Sequence, residues 1–138
     1  MEKTLLLIKP DGVEKHIIGE VLSRFERKGL KIAALKLIRA TRQQAEVHYA
    51  DLKKKPFFGE LLDYMSRSPI IAAVIAGEDA VAAVRQLNGA TNPLEAVPGS
   101  IRGDYGIYIG ENIVHGSDSL ENAEREINNF FKPEEILL

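Results

Sequence analysis

A chain of 138 residues that is 45% apolar and 28% charged suits one globular domain and leaves little room for a second. Its net charge of -2 and pI near 5.9 exclude a broad nucleic-acid-binding surface, although a few cations focused in a cleft can still draw an anionic small molecule. Cysteine is absent, which excludes disulfides and thiolate metal sites and fits a reducing cytoplasm, and the opening apolar run is too short for a signal core or a membrane span.

Leu5 to Ile8 reads as a buried strand closed by a turn at Lys9-Pro10-Asp11-Gly12, because proline cannot donate to a ladder and Asp-Gly favours a turn. A helix follows Gly19, with Val21, Leu22 and Phe25 on one face and Gly29 at the left-handed position past its end. Leu30 to Ile38 reads as a second strand whose alternation slips between Ala33 and Ala34, the mark of a bulge. Thr41-Arg42-Gln43-Gln44 has the form of a capping box, so a short helix starts there and ends before Pro56. A second short helix puts Phe58, Leu61, Leu62 and Met65 on one apolar face and leaves Phe57 off it.

Ile70 to Ala76 is apolar throughout, as a central strand covered on both faces would be. Asp79 to Asn88 reads as a helix stopped by Gly89. The segment from Ala90 to Gly103 reads as irregular, and a strand with Tyr105, Ile107 and Ile109 on one side follows it. Ser119 can cap a last helix with Leu120, Ala123, Ile127 and Phe130 turned inward. The order is β-α-β, a helical hairpin, then β-α-β-α. It predicts an α+β fold: a ferredoxin-like sandwich of four antiparallel strands, helices gathered on one face and the hairpin as an insertion, all in one domain spanning 1–138.

The segment Asn112 to Ser119 is a polar, glycine-containing turn between a strand end and a helix cap, where a side chain can face a cleft. A lone loop histidine such as His115 is usually a surface residue, and Ser117, Asp118 and Ser119 are also ordinary helix starters. The following helix changes the weighing. At about 100° per residue, Glu126 lies roughly 40 to 60° from Ala123 and Phe130, on the shoulder of the apolar stripe. A carboxylate there either solvates its head outward or accepts a hydrogen bond from one His115 nitrogen, leaving the other free as a nucleophile.

The string Asn112-Ile113-Val114-His115-Gly116-Ser117-Asp118 resembles the active-site motif of nucleoside diphosphate kinases. Lys9-Pro10-Asp11-Gly12, His48-Tyr49, Pro56-Phe57-Phe58, Thr91-Asn92-Pro93 and Pro98-Gly99-Ser100-Ile101-Arg102-Gly103-Asp104 also match that family, in order and at compatible spacing. Several motifs in register over almost the whole chain are far more specific than any single one.

The resemblance implies that His115 takes the terminal phosphate of a nucleoside triphosphate on its δ nitrogen and passes it to a diphosphate in the same site, with ping-pong kinetics. It implies that Glu126 orients His115 and that Ser117 places Glu126. Lys9, Arg85, Arg102 and Thr91 would grip phosphate, although position alone reads Lys9 as a solvated strand-end lysine, the arginines as surface charges or structural pairs, and Thr91 as a turn residue. Phe57 would stack on the base, with Leu61 and Ile109 as apolar contacts, giving loose base specificity. Asn112 would contact the sugar. Tyr49 would support His115 or a phosphate, or carry its hydroxyl in water.

No protein metal site is implied; magnesium would arrive with the nucleotide, Asp118 holding at most one of its waters. The implied partners are nucleoside di- and triphosphates and further copies of the chain, a hexamer ahead of a tetramer, with no membrane and no specific nucleic acid. Lys55 and Gly59 depart from the arginine and proline common in relatives, and the chain stops soon after Glu135, where longer relatives reach neighbouring subunits. Two other classes compete. A non-catalytic nucleotide binder on the same fold would have lost His115 or the cations, and none is lost. A scaffold oligomer with nucleic-acid contacts runs against the acidic pI.

Overall fold

The computed structural model describes residues 1–138. Its sheet has four strands, β1 (Glu2–Ile8), β2 (Lys31–Ile38), β3 (Ile70–Gly77) and β4 (Val114–Gly116), in the order β2-β3-β1-β4 with every neighbouring pair antiparallel. This is the expected four-stranded sandwich. β1 and β3 occupy its centre. Leu5 to Ile8 and Ile70 to Ala76 are buried without a break, as strands covered on both faces must be.

Seven helices surround the sheet: α1 (Pro10–Glu14), α2 (Ile18–Lys28), α3 (Arg42–His48), α4 (Phe58–Ser66), α5 (Ala80–Asn88), α6 (Ile101–Tyr105) and α7 (Leu120–Phe130). They cover both faces, not one. Side chains alternate along a strand, so Leu5 and Leu7 pack with α3, α4 and α7, while Leu6 and Ile8 pack with α2, α5 and α6. The two β-α-β units put their own helices on one face. The hairpin α3–α4 and the C-terminal helix α7 bury the other face, which the topology alone leaves bare. No helix is long and apolar enough to cross a membrane.

Several local expectations hold. Gly29 ends α2 at φ +99, the β2–β3 register shifts between Ile32 and Ala34, and Thr41 and Gln44 form the capping box of α3. Others are corrected. The residues after β1 form the short helix α1, because Pro10 at the first helical position has its φ preset and lacks only an N–H that would be orphaned anyway. There is no strand over 105–109. Ser100 caps α6 by accepting from the Gly103 N–H, and Tyr105 ends that helix; Ile107 and Ile109 then lie exposed on a loop. The fourth strand is the three-residue β4 further on, too short to show a period. Leu120, expected inward, is exposed at the first position of α7, whose core stripe begins at Ala123.

Candidate active site

His115 lies on edge strand β4 itself, not in a turn. It faces Leu7 across the ladder, and opposed residues of an antiparallel pair share a face. The register therefore sends the imidazole toward α3 and α7, while Val114 and Gly116 turn to α5. The approach there is close: a Cβ on Gly116 would stand 2.9 Å from both Val84 Cγ1 and Asn88 Nδ2, so only glycine fits beside the nucleophile candidate.

On its own face the ring meets Glu126, one of the residues α7 buries, at 2.8 Å from Nε2 to Oε1. Ser117 Oγ donates to the same Oε1 at 2.6 Å and accepts from the Leu5 N–H, which pins the carboxylate to the central strand. Burial pushes the Glu126 carboxyl up, but the bonds from His115 and Ser117 outweigh it and hold the group below its ordinary value, hence ionised. An ionised carboxylate only accepts, so Nε2 carries the proton and Nδ1 keeps its lone pair. Nδ1 has no protein partner, and the side chain remains 22% exposed in a cavity of about 390 Å³. Burial, with Lys9 and Arg102 nearby, lowers the His115 pKa against the pull of Glu126, so the ring is neutral at pH 7.

The same cavity gathers Lys9, Arg85, Thr91, Arg102 and Asn112. Lys9 extends from the end of β1 and donates to Asn112 Oδ1 at 2.8 Å; burial, then Arg102, pulls its ammonium down to about 8. Asn112 Nδ2 donates to the Thr91 carbonyl at 2.9 Å, joining the two loops that form the walls. Arg102 carries a second task. Its guanidinium donates to the carbonyls of Asn112, Gly89 and Val114, which leaves two of its five N–H groups for a ligand. Arg85 sits exposed on α5 at the cavity rim. Asp118 is the other acidic residue in the lining, and its carboxylate accepts from Asn122.

A second crevice of about 390 Å³ adjoins α4. Phe57 and Leu61 line it with Tyr64, Arg67, Tyr108 and Glu111. Phe57 caps α4 off the apolar stripe, as its spacing indicated, and is 42% exposed. Ile109 lies on the loop beside this crevice but lines neither cavity. Tyr49 also stays outside both. It packs into the core against His48, and burial raises its hydroxyl pKa.

Sequence reasoning quoted two side chains in motifs without giving them a role here. His48 stacks edge-on against His115, ring centroids 4.5 Å apart, and burial foremost drives its pKa down to about 3, so it stays a neutral wall. Its spacing from buried Ala45, i to i+3, was the available signal. Asp11 is buried and accepts from the Ile113 N–H at 2.9 Å. Nothing local in the sequence announces a contact across 102 positions.

Known proteins match this arrangement. The family model for nucleoside diphosphate kinase covers residues 2–136. A nucleoside diphosphate kinase of Bacillus licheniformis is 55% identical over 99% of this chain and 93% of its own length. Among solved structures, a nucleoside diphosphate kinase family protein from Babesia bovis superposes with a TM-score of 0.98 at 43% identity, covering 100% of this chain and 93% of that one. A halophilic nucleoside diphosphate kinase from Halobacterium salinarum, solved with CDP, gives 0.96 at 44% identity over 99% and 91%. With a family model spanning nearly every residue and relatives sharing half of them, the chain belongs to the nucleoside diphosphate kinase family.

Proposed function

We propose that this nucleoside diphosphate kinase works by ping-pong transfer through Nδ1 of His115, with the 138 residues acting as one domain. The observation that carries the reading is the Nε2 bond to Glu126, which leaves a neutral Nδ1 open to a cation-lined cavity. The Nδ1 lone pair attacks the terminal phosphorus as the bond to the bridging oxygen breaks, and the diphosphate leaves. The imidazolium that results keeps its Nε2 proton against the Glu126 carboxylate, so no separate base is needed. A second diphosphate reverses the step. Lys9, Arg85, Arg102 and Thr91 meet the phosphate oxygens, and Asn112 meets the sugar. The substrate is the magnesium complex of the nucleotide. Asp118, the lining carboxylate not committed to His115, fits a water on that ion and does not form a protein cage.

The test is covalent. Protein incubated with γ-labelled ATP carries label that is acid-labile and alkali-stable, as a phosphoramidate is. Acid-stable label would move the site to serine or threonine.

Two further outcomes are expected. In pH profiles of kcat/KM, the acid limb lies below the ordinary histidine value of 6.5, since the lowered His115 pKa keeps the nucleophile neutral to lower pH. The alkaline limb lies near 8, where free Lys9 loses its charge, and it moves upward in kcat because bound phosphate favours the ammonium. An alkaline limb retained in Lys9→Met would remove Lys9 from this role. Phe57→Ala weakens adenine, guanine and cytosine nucleotides alike, by about 1–3 kcal/mol each in binding titrations, because every base has a π face to stack. Loss confined to one base would contradict stacking.

Homo-oligomer formation is supported by the exposed leucines Leu35 and Leu37 on edge strand β2 and by Leu94, Val97, Ile107 and Tyr108 on the long loops. The family resemblance favours a hexamer over a tetramer, which sedimentation distinguishes.

A further inference from the structure

Ile113, two residues ahead of the nucleophile, is fully buried with φ +74. A β-branched residue rarely adopts that region. The Val114 N–H bonds back to the Asn112 carbonyl at 2.8 Å, closing a tight three-residue turn around Ile113 of the strained γ kind. Such strain persists only where the surroundings enforce it. The enforcement comes from the exit of β1. The Lys9 N–H donates to the Ile113 carbonyl at 2.7 Å, and Asp11 Oδ2 accepts from the Ile113 N–H. Gly12 lets the Ile113 side chain close in: a Cβ there would stand 3.0 Å from Ile113 Cγ2 and 2.7 Å from Ile8 Cγ2.

The other Asp11 oxygen accepts from the Tyr64 hydroxyl. Tyr64 belongs to α4, and it lines the same crevice as Phe57 and Leu61 at the i, i+4, i+7 spacing of one helix face. Burial and the Asp11 carboxylate raise the Tyr64 pKa, so the phenol remains a donor. One turn on, Arg67 donates to Glu14 beyond Asp11 and to Glu111 before Asn112, tying the same end of α4 to the same two segments. A buried carboxylate thus holds the crevice helix with one oxygen and the nucleophile's strained turn with the other. Both donors are neutral, and the Asp11 charge also favours the buried Lys9 ammonium nearby.

We propose that Asp11 is a positioning residue that carries the seating of a base against α4 to the turn that aims His115. This rests on the crevice being the base site. A base pressing on Phe57 and Leu61 shifts α4, and the Tyr64–Asp11–Ile113 chain passes the shift to the nucleophile. Chemistry at His115 should then depend on Tyr64 more strongly when the phosphoryl donor carries a base.

The experiment compares two donors to His115, magnesium-ATP and phosphoramidate. In the second, the P–N bond breaks as the bond to Nδ1 forms and ammonia leaves with the bonding pair. Tyr64→Phe is expected to lower kcat/KM about tenfold more with ATP than with phosphoramidate. Asp11→Asn lowers both, and adding Tyr64→Phe to it costs ATP nothing more. Equal losses with both donors, no loss with either, or a Tyr64→Phe effect undiminished in the Asp11→Asn background would each overturn the proposal; the last would mean that Tyr64 touches the base directly. Should Asp11→Asn not fold, imidazole nitrogen shifts decide: saturating adenosine moves those of His115 in the wild type and not in Tyr64→Phe. Movement persisting in the variant refutes the relay. Wild-type protein labelled by neither donor would instead bring down the nucleophile assignment itself.

Discussion

His115→Ala is expected to abolish transfer, lowering kcat by roughly 10⁴-fold or more, while magnesium-ADP still binds. The size follows from what is removed. In a ping-pong scheme the imidazole is the only covalent carrier, and the remaining cavity groups can bind and polarise phosphate but cannot accept it. Binding survives because Lys9, Arg102 and Asn112 are held by backbone and by one another and not by the ring. Alanine also leaves the β4–β1 ladder intact, since its bonds are main-chain. Stopped-flow transfer with separate nucleotide titration checks both halves. Substantial turnover by this variant would falsify the role given to His115.

The second large effect is expected from Glu126→Ala, a fall in kcat of roughly 10²- to 10³-fold, or about 3–4 kcal/mol of barrier. Three functions go at once. Nε2 loses the acceptor that fixes the tautomer. The phosphoimidazolium loses its counter-charge in a cavity that already holds Lys9 and Arg102. Ser117 loses the acceptor for its hydroxyl proton. Glu126→Gln is expected to lose less, since an amide oxygen can still accept from Nε2–H, although both His115 and Ser117 converge on Oε1 and the charge is gone. Single-turnover phosphorylation of His115 resolves the step. A kcat for the alanine variant within a few-fold of wild type would show that the ring needs no such partner.

The cavity also explains why one site can serve both halves of the reaction. In the proposed reaction its cations would meet phosphate, which every substrate carries, while the aromatic crevice is separate and lies on α4. Arg102 shows how the two demands combine. It spends three N–H groups holding the loop carbonyls that shape the cavity and leaves two without a partner, a division of labour that lysine could not make.

By itself the sequence determined what short-range physics controls. The unbroken apolar runs marked Leu5 to Ile8 as a buried strand and Ile70 to Ala76 as a central one, the 3.6-residue stripes gave α2, α4 and α7, and Gly29, Gly89 and the Thr41 capping box marked helix ends. Motifs in register named the family and seven of the 12 residues that line the His115 cavity. Only the tertiary structure decided the rest. β4 is three residues long and exists because β1 offers it a free edge, so no periodicity could reveal it, and the exposed Tyr105–Ile109 segment imitated a strand in its place. The partners of His115 depend on which face of β4 it occupies, and that is fixed by pairing with Leu7 more than 100 positions away. Tyr49 turned into the core, Ile109 turned to solvent, and Asp11 became a bridge between α4 and Ile113 for the same reason. Packing across the sheet sets these directions, and residue spacing along the chain carries no record of it.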